Sequence, residues 1–138
     1  MIKVILDTNF LMVPAQFRVD IFSGLEALLN QKAEPIILSS TYSELQKIAS
    51  KRLKEGKAAE MALQLINKFK IVKAEPYANE TGDDLIVRFA KKFNCPVATN
   101  DKELRKRLRS LGIRTIYLRQ RSHLAINGRT LSPKLSLI

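Results

Sequence analysis

The chain reads as an α/β protein with a parallel, doubly wound sheet of five strands covered on both faces by helices. Two observations predict this. Short apolar runs rich in β-branched residues alternate with longer segments of helical periodicity along the whole chain. The runs are dominated by apolar residues, as expected of strands covered on both faces.

The first run, Ile2 to Leu6, is a short strand that ends in Asp7. From about Asp20 to Gln31, Ile21, Leu25, Leu28 and Leu29 recur at helical spacing. Pro35 introduces a second strand, Ile36-Ile37-Leu38. Thr41-Tyr42-Ser43-Glu44 has the form of a capping box and opens a helix carrying Tyr42, Leu45, Ala49 and Leu53, which Gly56 is expected to break. A further helix is expected from about Ala58 to Phe69, and a third strand from Lys70 to Ala74.

Thr81-Gly82-Asp83-Asp84 starts the next helix, whose buried side is Leu85, Ile86, Phe89, Ala90 and Phe93. Pro96 to Thr99 is a fourth strand, and Asn100 is placed as the N-cap of a helix bearing Leu104, Leu108 and Leu111. Gly112 ends that helix, and Arg114 to Leu118 forms the fifth strand. Residues 119–138 read as a basic C-terminal extension with few regular signals. No linker, low-complexity segment or repeat interrupts residues 1–138, so one domain is expected.

Composition narrows the function. The chain has 138 residues, 46% of them hydrophobic, which supports a core and argues against disorder. Its 24 Lys and Arg against 13 Asp and Glu give a formal charge of +11, which favours an anionic partner, nucleic acid first. Cys95 is the lone cysteine, so no internal disulfide forms and a cytoplasmic setting is expected. The N-terminal run does not read as a signal peptide, and no stretch approaches the roughly 20 apolar residues of a membrane span. The sequence contains no His/Cys set with zinc spacing, no assembled nucleophile triad and no Gly-rich phosphate loop. His123, the lone histidine, reads as a surface or loop residue.

The acids fall in a pattern. Asp7 ends the first strand, Glu44 lies in the first turn after the second, Asp83 and Asp84 open the helix before the fourth, and Asp101 follows the fourth. Ligands of an open parallel sheet bind beyond the carboxyl ends of its strands. Clustered carboxylates repel and need a counter-charge, and hard divalent cations prefer such oxygens. Each acid also has a plain structural explanation. Asp7 suits a turn, Glu44 suits the capping box with Thr41, and Asp83, Asp84 and Asp101 suit helix N-termini. Asp84 also stands four residues before Arg88, a helical ion-pair spacing. None of these explains why all the acids fall at one edge of the sheet.

Four segments carry a family resemblance: Val4-Ile5-Leu6-Asp7-Thr8-Asn9, Ser39-Ser40-Thr41-Tyr42-Ser43-Glu44-Leu45, Gly82-Asp83-Asp84-Leu85-Ile86 and Val97-Ala98-Thr99-Asn100-Asp101. In this order and context the sequence resembles the PIN domain family of ribonucleases. The resemblance implies a three-layer α/β/α PIN-like fold with a central, mainly parallel five-stranded sheet. It implies a Mg²⁺- or Mn²⁺-dependent endoribonuclease in which Asp7, Glu44, Asp84 and Asp101 are catalytic. Asp83 is an adjacent further metal ligand, with the choice between it and Asp84 left open. Asn9 and Thr99 are implied as polar supports for Asp7 and Asp101.

Within the family, the Gly82–Ile86 and Val97–Arg109 segments are similar to the branch that processes ribosomal RNA and to archaeal stand-alone VapC9-like proteins. Lys102, Arg105, Lys106, Arg107 and Arg109, with Arg114, Arg119, Arg121, Arg129 and Lys134, are expected to bind RNA phosphates. An ordinary solvated helix face with a basic tail is the competing account. A homodimer is also implied. Three other readings stay open: a non-catalytic RNA-binding or ribosome-assembly module, a VapC-type toxin with an antitoxin partner, and a flavodoxin-like regulatory domain.

Overall fold

The computed structural model describes residues 1–51 and 53–127. The elements run β1 (Ile2–Leu6), α1 (Thr8–Leu11), α2 (Val13–Phe17), α3 (Ile21–Leu29), β2 (Ala33–Leu38), α4 (Ser39–Ala49), α5 (Lys54–Ile66), β3 (Ile71–Val72), α6 (Gly82–Phe93), β4 (Val97–Ala98), α7 (Lys102–Ser110), β5 (Thr115–Arg119) and β6 (His123–Asn127). The sheet order is β3-β2-β1-β4-β5-β6. Every pairing is parallel except β5 with β6.

Side-chain alternation along the strands builds the three layers. Val4, Leu6, Ile37, Ala98 and Ile116 join one core with residues of α1 to α5. Ile5, Ile36, Leu38 and Val97 join a second core with α6 and α7. Both faces are thus buried, which is why the inner parts of β1 and β2 read as the short apolar runs Val4-Ile5-Leu6 and Ile36-Ile37-Leu38. Pro35 lies inside β2, opposite Val4, but β3 reaches only Ile37 and Leu38. The proline therefore sits where β2 has one neighbour, a place a sheet tolerates it. No helix among the described residues is long and apolar enough to cross a membrane.

The structure corrects several expectations. The sheet has six strands, not five, because His123 to Asn127 returns antiparallel to β5. Residues 119–127 therefore belong to the sheet rather than to an irregular extension. Gln120 and Arg121 both take left-handed backbone (φ 54° and 60°) in the turn. Gly and Asn usually supply that conformation, so this hairpin left no turn signal in the sequence. Arg129 and Lys134 lie outside the described residues. Helices α1 and α2 span only four and five residues, too short for a periodicity to register.

Gly56 does not break a helix; it lies buried inside α5. A Cβ there would stand 2.1 Å from the Lys51 carbonyl oxygen and 3.2 Å from that of Ile48. Glycine is what lets α5 cross the end of α4, so its role is close approach rather than termination. Gly56→Ala should lower unfolding free energy by about 1–3 kcal/mol, read from urea denaturation. An alanine variant as stable as wild type would show that the crossing has room to spare.

Candidate functional site

The strand order reverses direction between β1 and β4: the chain steps from β1 to β2 and β3 on one side, then returns to β4 on the other. In a doubly wound sheet this switch point opens a crevice at the carboxyl ends of the strands. Asp7 leaves β1 there, and Thr99-Asn100-Asp101 leaves β4 beside it.

Asp7 is 8% exposed and tightly held. Its Oδ1 accepts the Thr8 N–H at 2.8 Å, and its Oδ2 accepts the Thr99 hydroxyl at 2.7 Å and the Asn9 amide at 3.3 Å. Asn9 Oδ1 accepts the Asn100 N–H at 2.9 Å, so Asn9 clips the end of β1 to the end of β4. Burial pushes the Asp7 carboxyl above its ordinary pKa. The Thr99 and Thr8 hydrogen bonds oppose that push, and the charges of Glu44 and Asp83 add to it.

Asp7, Thr41, Glu44, Thr81 and Asp83 line one cleft, with Ser40 between them. Glu44 arrives from α4, which leaves β2 directly at Ser39 with no side-chain cap. The expected Thr41–Glu44 capping box is therefore absent. Thr41 is buried, and Glu44 Oε1 instead accepts the Thr8 hydroxyl at 2.6 Å. Thr8 is a site residue to which the sequence assigned no role, although it stands between Asp7 and Asn9 in a segment already singled out.

Asp83 and Asp84 go separate ways. Asp84 forms the capping box of α6: its Oδ2 accepts the Thr81 N–H at 2.9 Å, and the Thr81 hydroxyl accepts the Asp84 N–H at 3.1 Å. Its Oδ1 binds Arg107 Nη1 at 2.7 Å, an ion pair that replaces the anticipated one with Arg88. The Thr81 N–H, then Arg107, hold the Asp84 carboxyl below its usual pKa. Asp83 lines the cleft instead, and its pKa is raised, first by burial and then by the charge of Asp101. Glu44 and Asp84 raise it further, against a lowering by Arg107.

Asp101, not Asn100, is the N-cap of α7; its Oδ1 accepts the Glu103 and Leu104 N–H groups at 2.9 and 3.2 Å. Asn100 Oδ1 accepts the Leu118 N–H at 2.8 Å, which ties β4 to β5. Thr99 reaches both acids: its hydroxyl donates to Asp7 and accepts the Asp101 N–H at 3.2 Å.

Among the described residues no three Asp, Glu, His or Cys side chains stand close enough to form a ready-made metal cage. Asp7, Glu44 and Asp83 line an open cleft, and Asp84 and Asp101 lie outside its lining. Uncompensated carboxylates repel by about 1 kcal/mol per pair at 4 Å in water, and open spacing relieves that repulsion. The donors are all oxygen, a set that fits a hard cation such as Mg²⁺ or Mn²⁺ rather than zinc or copper. His123 lies exposed on β6, its Nδ1 3.1 Å from the Ser122 hydroxyl.

The basic residues divide as well. Lys102, Lys106, Arg109, Arg119 and Arg121 are exposed. Arg105 lies flat on Tyr117, its guanidinium carbon 4.0 Å from the ring centre, and Arg107 is held by Asp84.

A doubly wound sheet with acids gathered at its switch point is the arrangement of a PIN-like domain. This chain belongs to that family, whose "PIN like domain" profile matches residues 4–121. It is similar to Ribonuclease VapC4 of Methanocaldococcus jannaschii, at 35% identity over 93% of this chain and 98% of that protein. It is similar to the rRNA-processing protein fcf1 of Schizosaccharomyces pombe, at 32% identity over 78% of this chain and 54% of that protein. Among solved structures it resembles the PIN domain endonuclease Utp24, with a TM-score of 0.76 and 29% identity over 93% of this chain and 92% of that one.

The raised Asp7 pKa has a consequence for stability. A carboxyl whose folded pKa exceeds its unfolded value weakens the fold where it is ionised, above the folded pKa, and not below the unfolded one. Asparagine removes that charge, keeps an acceptor for the Thr8 N–H and offers the Thr99 hydroxyl a donor, losing only the long 3.3 Å bond from the Asn9 amide. In EDTA at pH 7, Asp7→Asn should therefore melt at or above the wild-type temperature. The gap should close as pH falls below about 4. A variant that melts well below wild type at pH 7 would contradict the assignment of strain to this carboxylate.

Proposed function

We propose that this chain is a Mg²⁺- or Mn²⁺-dependent endoribonuclease that hydrolyses RNA phosphodiester bonds in the acidic cleft. One observation carries the proposal: Asp7 after β1, Glu44 on α4 and Asp83 on α6 line a single cleft at the switch point of the sheet. The names of the ribonuclease and endonuclease relatives support it.

In this reading Asp7, Glu44, Asp83 and Asp101 hold the ion or ions. Asp84 moves out of the set implied by the resemblance, because its two oxygens are engaged by Thr81 and Arg107. When bound, a hard divalent ion supplies Lewis-acid stabilisation of charge on the phosphoryl group and eases deprotonation of the attacking water. The chain's own residues arrange the site. Thr99 and Asn9 fix the Asp7 carboxylate plane, and Thr8 fixes one oxygen of Glu44. Glu44 lines the cleft, and its Oε2 has no hydrogen-bond partner among the described residues. Asp101 commits Oδ1 to α7, and Oδ2 has no hydrogen-bond partner among the described residues. The exposed cations Lys102, Lys106, Arg109, Arg119 and Arg121 bind RNA phosphates in this account.

The experiment is cleavage of a labelled RNA with Mn²⁺ by paired variants. Asp83→Asn and Asp7→Asn should each lower the rate about 100-fold or more, whereas Asp84→Asn stays within about tenfold of wild type. Thr99→Val, which releases Asp7, should cost about 10–100-fold. Equal losses in Asp83→Asn and Asp84→Asn would undo the division between these acids. Full wild-type activity in excess EDTA would remove the metal requirement.

Ribosomal RNA processing is the setting we favour, supported by the similarity to the rRNA-processing protein fcf1. The similarity to VapC4 keeps a toxin role as a second reading. Native purification distinguishes the two: ribosomal precursors co-sedimenting with the chain favour the first, and a small tightly bound partner protein favours the second.

A further inference from the structure

The loop before α6 carries an aromatic ring that the fold does not bury. Tyr77 is 66% exposed, more than any other aromatic side chain among the described residues. It is nevertheless held from several sides. Its N–H donates to Glu80 Oε1 at 2.9 Å, and its carbonyl accepts the Glu80 N–H at 3.0 Å, closing a tight turn. The Arg88 guanidinium carbon lies 3.8 Å from the ring centre. Arg88 is itself fixed by both carboxylate oxygens of Glu80, at 2.9 and 3.0 Å, and by the Glu75 carbonyl at 2.7 Å. Arg88 thus covers Tyr77 from one side, and the ring stays largely open to solvent.

The surroundings are basic. Tyr77 shares a shallow open groove with Arg88, Lys91, Lys92 and Arg107. The acids of this groove, Glu80 and Asp84, are engaged by Arg88 and Arg107. Lys91 and Lys92 make no ion pair among the described residues. Asp84 lines this groove and its neighbour Asp83 lines the acidic cleft, so the first turn of α6 joins the two. An exposed, braced aromatic ring in a cationic groove is the combination that binds single-stranded nucleic acid, by base stacking together with phosphate contacts.

We propose that single-stranded RNA leaving the acidic cleft passes Arg107 and lies along α6, with a base stacked on Tyr77 and phosphates on Lys91 and Lys92. Asp84 is then a positioning residue that holds Arg107 at the junction. This rests on the reading that RNA is the ligand, but not on its being cut. It also adds a surface that shares only Arg107 with the α7 and C-terminal cations. Stacking is sequence-tolerant, so the groove selects strandedness rather than sequence.

The test is binding of a fluorescent, mixed-sequence 12-nucleotide RNA to the full chain in EDTA, where no metal-dependent cleavage interferes. Tyr77→Ala should weaken binding about tenfold and Tyr77→Phe, which keeps the ring, by less than about threefold. The log–log salt slope should be unchanged by Tyr77→Ala, because stacking releases no counterions. Lys91→Gln with Lys92→Gln should lower that slope by about 1.4, at about 0.7 per phosphate contact. A 2-aminopurine in the oligonucleotide should change emission on binding wild type and not Tyr77→Ala. A blunt RNA duplex should not distinguish wild type from Tyr77→Ala. Unchanged single-strand affinity in Tyr77→Ala would overturn the proposal, as would an equal loss for the duplex. RNA bound through Tyr77 but never cleaved would sink the nuclease reading and leave this one standing. Cleavage with single-strand affinity indifferent to Tyr77 would do the reverse.

Discussion

The structure depends on how the ends of β1 and β4 are joined. Their ladder is only two residue pairs long, Ile5 with Val97 and Leu6 with Ala98. Beyond it the join continues through side chains. The Asp7 N–H donates to the Ala98 carbonyl at 2.9 Å, the Thr99 hydroxyl donates to Asp7, and Asn9 accepts the Asn100 N–H. Asn100 carries the join on to Leu118 of β5. The same bonds that close the sheet at its switch point hold a buried carboxylate in place. A buried charge without such donors is costly, so the strand junction and the site stand or fall together.

From that junction the rest of the cleft follows. Glu44 is brought in by α4, which leaves β2 without a cap, and it is tied back to the junction by Thr8. Adjacent residues on a helix point about 100° apart, so the first turn of α6 cannot present both its acids to one space. The capping box takes Asp84 and leaves Asp83 facing the cleft. Burial raises the pKa values of Asp7 and Asp83, and the neighbouring acids push the same way, against the Thr99 and Thr8 hydrogen bonds at Asp7 and the Arg107 charge at Asp83. A site with such repulsion gives up some stability, the usual exchange of stability for function.

Much of this was legible in the sequence, and the exceptions have physical causes. The five parallel strands were visible because burial on both faces leaves short, mainly apolar runs. The sixth was hidden because Gln120 and Arg121 turn the hairpin in left-handed backbone without glycine or asparagine. The acids were visible as a set placed after strands. Their division was not, because Asp83 and Asp84 differ only in which one Thr81 and Arg107 engage. Thr41 and Glu44 matched a capping pattern, but burial of Thr41 and the reach of Thr8 from another element overrode it. Gly56 looked like a breaker because sequence spacing cannot show that the Lys51 carbonyl, just past the end of α4, lies 2.1 Å from where a Cβ would be.

The central claim is that these carboxylates exist to gather a divalent ion. Anomalous diffraction from a crystal of this chain soaked in Mn²⁺ tests it most directly. The account predicts a peak bounded by Asp7, Glu44 and Asp83, with Asp101 at its edge and Asp84 still on Arg107. A cleft without manganese at saturating concentration, or manganese bound by Asp84 with Arg107 displaced, would contradict it.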